Sequence, residues 1–193
     1  MSPRPSAYVL LERVSNLLRA ELRSAGAADE LEPVHLQALD YLDRANAYSN
    51  TPLAVAEYLG LTKGNVSQRL IALERAGYLK RTADARDRRV SHLALTAKGR
   101  SLLRAAVPPP HWREALAALP AESVDRLERG LLDLLRALQL AQGGRSFGEC
   151  RTCRHFVVDG GRYACGLTRE PLAAEQTTKI CREHAAPELP KTA

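Results

Sequence analysis

All four cysteines of this 193-residue chain fall between Cys150 and Cys181, and the first 149 residues contain none. They read Cys150-x2-Cys153, eleven residues, Cys165, fifteen residues, then Cys181-x2-His184. A Cys-x2-Cys pair lets two sulfurs converge on one metal, and Cys181-x2-His184 has the same geometry with a nitrogen. Four thiolates suit a tetrahedral zinc or an iron–sulfur cluster. Cys150, Cys153, Cys165 and Cys181 are therefore the expected ligands, with His184 as a spare; His155, beside Phe156, is expected to pack on a hairpin. The segment has too few apolar residues to fold alone, and a metal would supply the missing stability.

Zinc is favoured, because the two knuckle-like pairs resemble zinc ribbons and the run lacks the dense Cys-x2-Cys-x2-Cys of bacterial ferredoxins. A cluster stays open, since it needs only four converging cysteines. So does the plain reading of a disulfide or unliganded thiols, against which a reducing compartment argues.

A second set of residues fits nucleic acid. Lys63, Asn65, Ser67, Gln68 and Arg69 crowd the start of one helix, with Thr62 as its cap. Asn and Gln bind adenine bidentately, Arg and Lys bind guanine, and Ser serves either. Gly64 would let the backbone come close. Downstream, Asp84-Ala85-Arg86-Asp87-Arg88-Arg89 puts three arginines on a short loop, suited to a narrow minor groove. Asp87 is expected to orient a neighbouring arginine by an ion pair. Residues 62–104 hold eleven Lys and Arg against three Asp and Glu, so the rest of the chain is slightly acidic beneath a formal net charge of +6. Such a local excess is the footprint of a polyanion-binding surface, or of a solvated basic face.

The elements that must hold these residues are mostly helices. Leu11, Val14, Leu18 and Leu22 make one stripe on a helix from about Ser6 to Arg23. Pro33 opens a second helix with Leu36, Leu39 and Leu42 inward. Thr51-Pro52 starts a short helix to Leu59, Gly60 breaks it, and Thr62 caps the next, from Lys63 to Ala76, with Val66, Leu70 and Leu73 inward. Two short helices joined by a glycine-containing turn form a helix-turn-helix. Segments 78–81 and 90–95 read as the strands of a hairpin. Thr96 caps a helix ending at Pro108-Pro109-Pro110, a further helix spans 111–119, and a long one follows from Pro120. There Val124, Leu127, Leu131, Leu134 and Leu138 form a heptad seam that meets another helix or the subunit's own core. Gly143-Gly144 marks a linker. The expected fold is mainly α with a small β-hairpin wing: a winged helix-turn-helix with a helical dimerisation region over residues 1–144, wing at about 78–96. A small Cys-rich C-terminal module follows over 145–193.

The run DARDRRVSHLALTAKG, Asp84 to Gly99, resembles the wing signature of the MarR family. NVSQRLIALERAGYLKR resembles that family's recognition helix and first wing strand, and LEPVHLQALDYL its second helix. The resemblance covers roughly residues 6 to 140. It implies a homodimer built from terminal helices, binding a pseudo-palindromic double-stranded DNA operator, usually as a repressor. It also implies a small-molecule effector site between the dimer and DNA lobes. Arg88 matches the wing arginine expected in the minor groove, and Asp87 its acidic partner. The three prolines interrupt a stretch often drawn as one helix, and the cysteine-rich tail lies outside the family pattern.

The competing functions are a redox or electron-transfer protein using the cysteines, and a zinc-stabilised adaptor that binds protein only. Neither accounts for the basic loop. No phosphate loop, dinucleotide fingerprint or nucleophile–base set is present, so an enzyme is not expected. The first twenty residues read as an amphipathic helix and no apolar run reaches membrane length, so no membrane partner and a cytoplasmic location are expected. The metal would be structural or would sense redox state or metal supply.

Overall fold

The computed structural model describes residues 6–85, 87–143 and 146–186. Seven helices and two small sheets are found among them. α1 (Ala7–Gly26) is capped by Ser6, whose hydroxyl accepts from the Val9 N–H, and a short 3₁₀ turn leads to α2 (Pro33–Arg44). α3 (Pro52–Leu59) is capped by the Thr51 hydroxyl and closed by Gly60 at φ 64°. α4 (Lys63–Arg75) is capped by the Thr62 hydroxyl. β1 (Leu79–Ala83) and β2 (Ser91–Leu95) pair antiparallel in the register Leu79↔Leu95 to Ala83↔Ser91. α5 (Ala97–Ala106), capped by Thr96, α6 (Pro110–Ala117) and α7 (Ala121–Ala141) complete the helical part.

The core forms where α2, α3, α4, the hairpin and α5 meet. Leu36, Leu39, Val55, Val66, Leu70, Leu73, Leu93 and Leu95 are buried there. These are the inward positions set by the 3.6-residue period of the helices and the alternation of β2. The hairpin is held to α5 by a close approach. A Cβ on Gly99 would lie 2.1 Å from the Tyr78 carbonyl oxygen, so only glycine fits. The same carbonyl accepts from the Thr96 N–H at 3.0 Å. Tyr78, expected in the strand, instead closes α4 through its N–H to the Leu73 carbonyl, which moves the strand start to Leu79.

Two expectations for terminal helices need qualification. In α1 the stripe is only partly covered: Leu11 and Val14 are exposed, while Leu22 packs against the core. In α7 no residue is buried, and Leu127, Leu131, Leu134 and Leu138 are all exposed. The seam therefore does not pack on this subunit's core.

The cysteine-bearing segment carries β3 (Phe156–Asp159), β4 (Arg162–Cys165) and β5 (Pro171–Leu172) in one antiparallel sheet of order β3-β4-β5. Gly160 and Gly161 turn the β3–β4 hairpin, both at positive φ. This segment docks firmly instead of hanging from a linker. Ile180 is buried in the main core, and Phe147 stacks edge-on to Tyr58 at 5.3 Å and to Tyr41 at 6.2 Å.

At the start of α2, the Glu32 N–H donates to His35 Nδ1 at 3.0 Å, so this nitrogen must be unprotonated. Burial pushes the His35 pKa below its ordinary value, with the Glu32 charge opposing. The unfolded chain therefore takes up the proton first as pH falls. Stability contributed by neutral His35 is complete above about pH 6.5, the ordinary histidine value, and is lost below it. Melting temperature is expected to fall between about pH 7 and pH 5, and His35→Gln is expected to flatten that slope in a calorimetric pH series. An unchanged slope would assign the acid sensitivity elsewhere.

Candidate nucleic-acid interface and cysteine site

The first two turns of α4 present Lys63, Asn65 and Gln68 to solvent, with Ser67 half-buried and Thr62 exposed at the cap. A Cβ on Gly64 would meet nothing within 4 Å, so the helix start is open. Arg69 is placed differently from the expectation of a base contact. Its guanidinium bonds the Asn65 side chain and reaches Glu32 Oε2 at 3.2 Å. It thereby ties α4 to the start of α2 and holds Asn65 by its amide oxygen.

At the hairpin tip, the Asp87 N–H donates to Asp84 Oδ1 at 2.8 Å, and the Val90 N–H to the Asp87 carbonyl at 2.9 Å. These bonds close the turn. Asp87 grips Arg89 at 3.0 and 3.1 Å, which holds the Asp87 carboxyl below its usual range. The acidic partner therefore orients Arg89, whereas the family resemblance pairs it with Arg88; Arg88 is exposed. Arg86 lies outside the described residues. Behind the tip, His92 Nε2 lies 2.9 Å from Asp84 Oδ2, and His92 Nδ1 lies 2.6 Å from Asn50 Oδ1 in the α2–α3 turn.

The four cysteines are free thiols, with no disulfide among them. All four line one cavity of about 250 Å³, with Phe156, Leu167, Leu172 and Tyr48 among its walls. The β3–β4 pairing, which sets Cys165 opposite Phe156, returns Cys165 toward the Cys150–Cys153 turn. Cys150 and Cys181 are hydrogen-bonded to each other, and the bond pulls the Cys181 thiol down to about 6 while pushing Cys150 up. Further donors reach the sulfurs. Asn46 Nδ2 lies 3.3 Å from Cys150 Sγ, and the Ala185 N–H donates to Cys153 Sγ at 3.4 Å. Even so, no group of three or more His, Cys, Asp or Glu side chains among the described residues is arranged to hold a metal ion.

His184 stands apart from that void. Its Nδ1 lies 2.6 Å from the Ser146 hydroxyl and its Nε2 3.0 Å from that of Thr152, and burial lowers its pKa. Gly148 makes room for the ring, since a Cβ there would lie 2.6 Å from it. His184 latches the module, and it is His155 that lines the cavity.

Sequence reasoning missed the residues that join module to helices. Asn46 and Ser49, in the α2–α3 turn, are buried at 1% and 0% exposure. The Asn46 N–H donates to the Ile180 carbonyl, and the Ile180 N–H to the Arg44 carbonyl. The Ser49 hydroxyl accepts from the Arg182 N–H at 2.7 Å, and Arg182 pairs with Glu57 of α3 at 2.8 Å. Lys179 caps the Asp43 carbonyl at 2.6 Å. The only local signal was the polar run from Asn46 to Thr51, which reads as an ordinary loop.

A helix-turn-helix followed by an antiparallel hairpin seated on its core, with a basic tip, defines a winged helix-turn-helix protein. The family model described as MarR family matches residues 30–90, from just before α2 to the tip of the hairpin. The transcriptional repressor MprA of Escherichia coli K12 is 32% identical over 138 residues, covering 70% of this chain and 74% of that protein. The chain belongs to the MarR family of winged-helix transcriptional regulators. Solved structures share the fold. The Staphylococcus aureus MepR–DNA complex has a TM-score of 0.59 at 21% identity, covering 69% of this chain and 99% of that one. Streptococcus pneumoniae FabT in complex with DNA has a TM-score of 0.54 at 28% identity, covering 68% and 94%. Among the described residues no helix is long and apolar enough to cross a membrane.

Proposed function

We propose that this chain is a DNA-binding transcriptional repressor, not an enzyme, acting as a homodimer on a pseudo-palindromic double-stranded operator. We further assign a metal site to Cys150, Cys153, Cys165 and Cys181, holding zinc or an iron–sulfur cluster and serving to stabilise or to sense. The observation that carries the DNA reading is the open, polar start of α4 together with the basic hairpin tip on a winged-helix frame. Groove entry by α4 would bring Lys63, Ser67 and Gln68 to base edges, while Arg88 and Arg89 reach flanking phosphate or minor groove. The relative MprA is named a repressor, and FabT is seen with DNA, which favours the same role here.

Arg88→Ala is expected to weaken specific and nonspecific binding alike and to lower the salt slope by about 1. Gln68→Ala is expected to relax discrimination between operators by about 1–3 kcal/mol. Gel shifts across a salt series measure both, and two variants that bind as wild type does would move the interface elsewhere.

The dimer reading rests on the uncovered apolar faces of α1 and α7. Exposed apolar surface of that extent is covered in stable soluble proteins, and a second copy offers the same heptad seam. Leu131→Glu with Leu134→Glu is expected to bury charge in the seam and yield monomer in light scattering, at a cost of several kcal/mol. A well-folded dimer in this variant would exclude α7 from the interface.

A further inference from the structure

We propose that Asn65 meets the operator as a hydrogen-bond donor and selects guanine over adenine, with Arg69 as the positioning residue that turns its amide. The inference rests on the DNA-binding reading of α4 and deepens it. Arg69 lies one helical turn after Asn65, on the same face of α4. Its Nη1 bonds the Asn65 side-chain oxygen and lies 3.4 Å from the Asn65 backbone carbonyl oxygen. A guanidinium carries N–H donors and no acceptor, so only the oxygen edge of the amide can face it. The last torsion of an asparagine is otherwise broad and roughly two-fold. Here one of its two flips is chosen, with the amide NH2 turned away from Arg69.

Arg69 is held in its turn. Its Nη2 reaches Glu32 Oε2 at 3.2 Å, at the start of α2, and its Nε is shut away from solvent. The Arg69 side chain is only 29% exposed. The guanidinium is thus fixed by α2 as well as by α4 and is not a free surface cation. Asn65 is exposed in the first turn of α4, the part of a recognition helix that comes nearest the base edges.

This changes what the residue reads. Bidentate recognition of adenine asks the amide oxygen to accept from N6 while the NH2 donates to N7. The Asn65 oxygen already accepts from a cation, which draws its electron density away and leaves it a poorer partner for N6. The NH2 keeps both of its donors. Guanine presents N7 and O6, two acceptors side by side in the major groove, and meets that group without calling on the oxygen.

Selection of a random double-stranded DNA pool by the full chain gives the operator, and Asn65→Ala marks the base pair that Asn65 reads as the one whose preference it abolishes. At that position wild type should favour guanine over adenine by about tenfold, the size of one good base contact. Arg69→Met, which keeps an unbranched stem but no donor, frees the amide and should bring the two bases within about threefold. Arg69→Lys, which can still donate to the oxygen, should keep the preference. Asn65→Asp keeps the bond to Arg69 but puts an acceptor where the NH2 stood, and should turn the preference from guanine to adenine; it carries the test should Arg69→Met not fold. A merely structural Arg69 would lower affinity for all sequences alike and leave the ratio untouched. That result, a wild-type preference for adenine, a guanine preference kept in Asn65→Asp, or an Asn65→Ala loss spread evenly over all sequences would overturn the inference and leave the DNA reading standing. A wild type that selects no sequence would overturn both.

Discussion

Two buried polar side chains, Asn46 and Ser49, fix how the molecule is put together. A buried amide or hydroxyl without partners costs on the order of 1–3 kcal/mol, so each must be satisfied from nearby. The cysteine module supplies the Cys150 sulfur to the Asn46 amide and the Arg182 N–H to the Ser49 hydroxyl, while the Tyr48 N–H donates to Asn46 Oδ1 from within the turn and the Ile180 carbonyl takes the Asn46 backbone N–H. The Tyr41 hydroxyl adds a bond to the Ser49 carbonyl at 2.9 Å, joining α2 to the same point. Removing the module would strand these groups together with the Arg44 and Asp43 carbonyls. The turn before α3 therefore depends on residues more than one hundred positions later in the chain.

That dependence explains why the module is not an independent unit. Its own sheet buries little, with the four residues of β3 largely exposed. What it lacks in apolar burial it gains by adding Ile180 and Phe147 to the helical core. The opposite imbalance holds at the chain's terminal helices. α1 and α7 display Leu11, Val14, Leu131 and Leu134 to solvent, a surface that one subunit leaves uncovered. One end of the helical lobe is completed from within the chain, and the other keeps an uncovered apolar face.

Much of this was legible in the sequence because local chemistry decided it. Thr51, Thr62 and Thr96 cap the helices that begin after them, Gly60 closes α3 at positive φ, and Val66, Leu70 and Leu73 are buried at the spacing the helical period sets. The Asp-Arg-Arg tip and Gly99 carried the family likeness. Strand edges were less legible, because Tyr78 is claimed by the end of α4 before the hairpin can use it. Long-range partners were not legible at all. Nothing near Arg69 announces Glu32, nothing near His184 announces Ser146, and nothing near Asn46 announces Cys150. Spacing marked the cysteines as a set, but only the fold shows that they surround a space.

The same long-range pairing changes how the basic stretch should be understood. Of its cations, Arg69 is engaged by Glu32, Arg81 by Glu74 and Arg89 by Asp87. Lys98 lies over the Tyr78 ring and bonds the Ala76 carbonyl. Several of the positive groups thus serve first to position α4, the hairpin and α5. Their charge is not lost to a polyanion, because the field at a distance depends on net charge, and residues 62–104 keep their excess of cations. Attraction within a Debye length of about 8 Å is therefore shared by the whole surface, whether or not a given cation is engaged by a neighbour. Lys63 and Gln68 at the start of α4 and Arg88 at the tip are exposed. An ion pair within the run therefore positions an element without removing that element's share of the field.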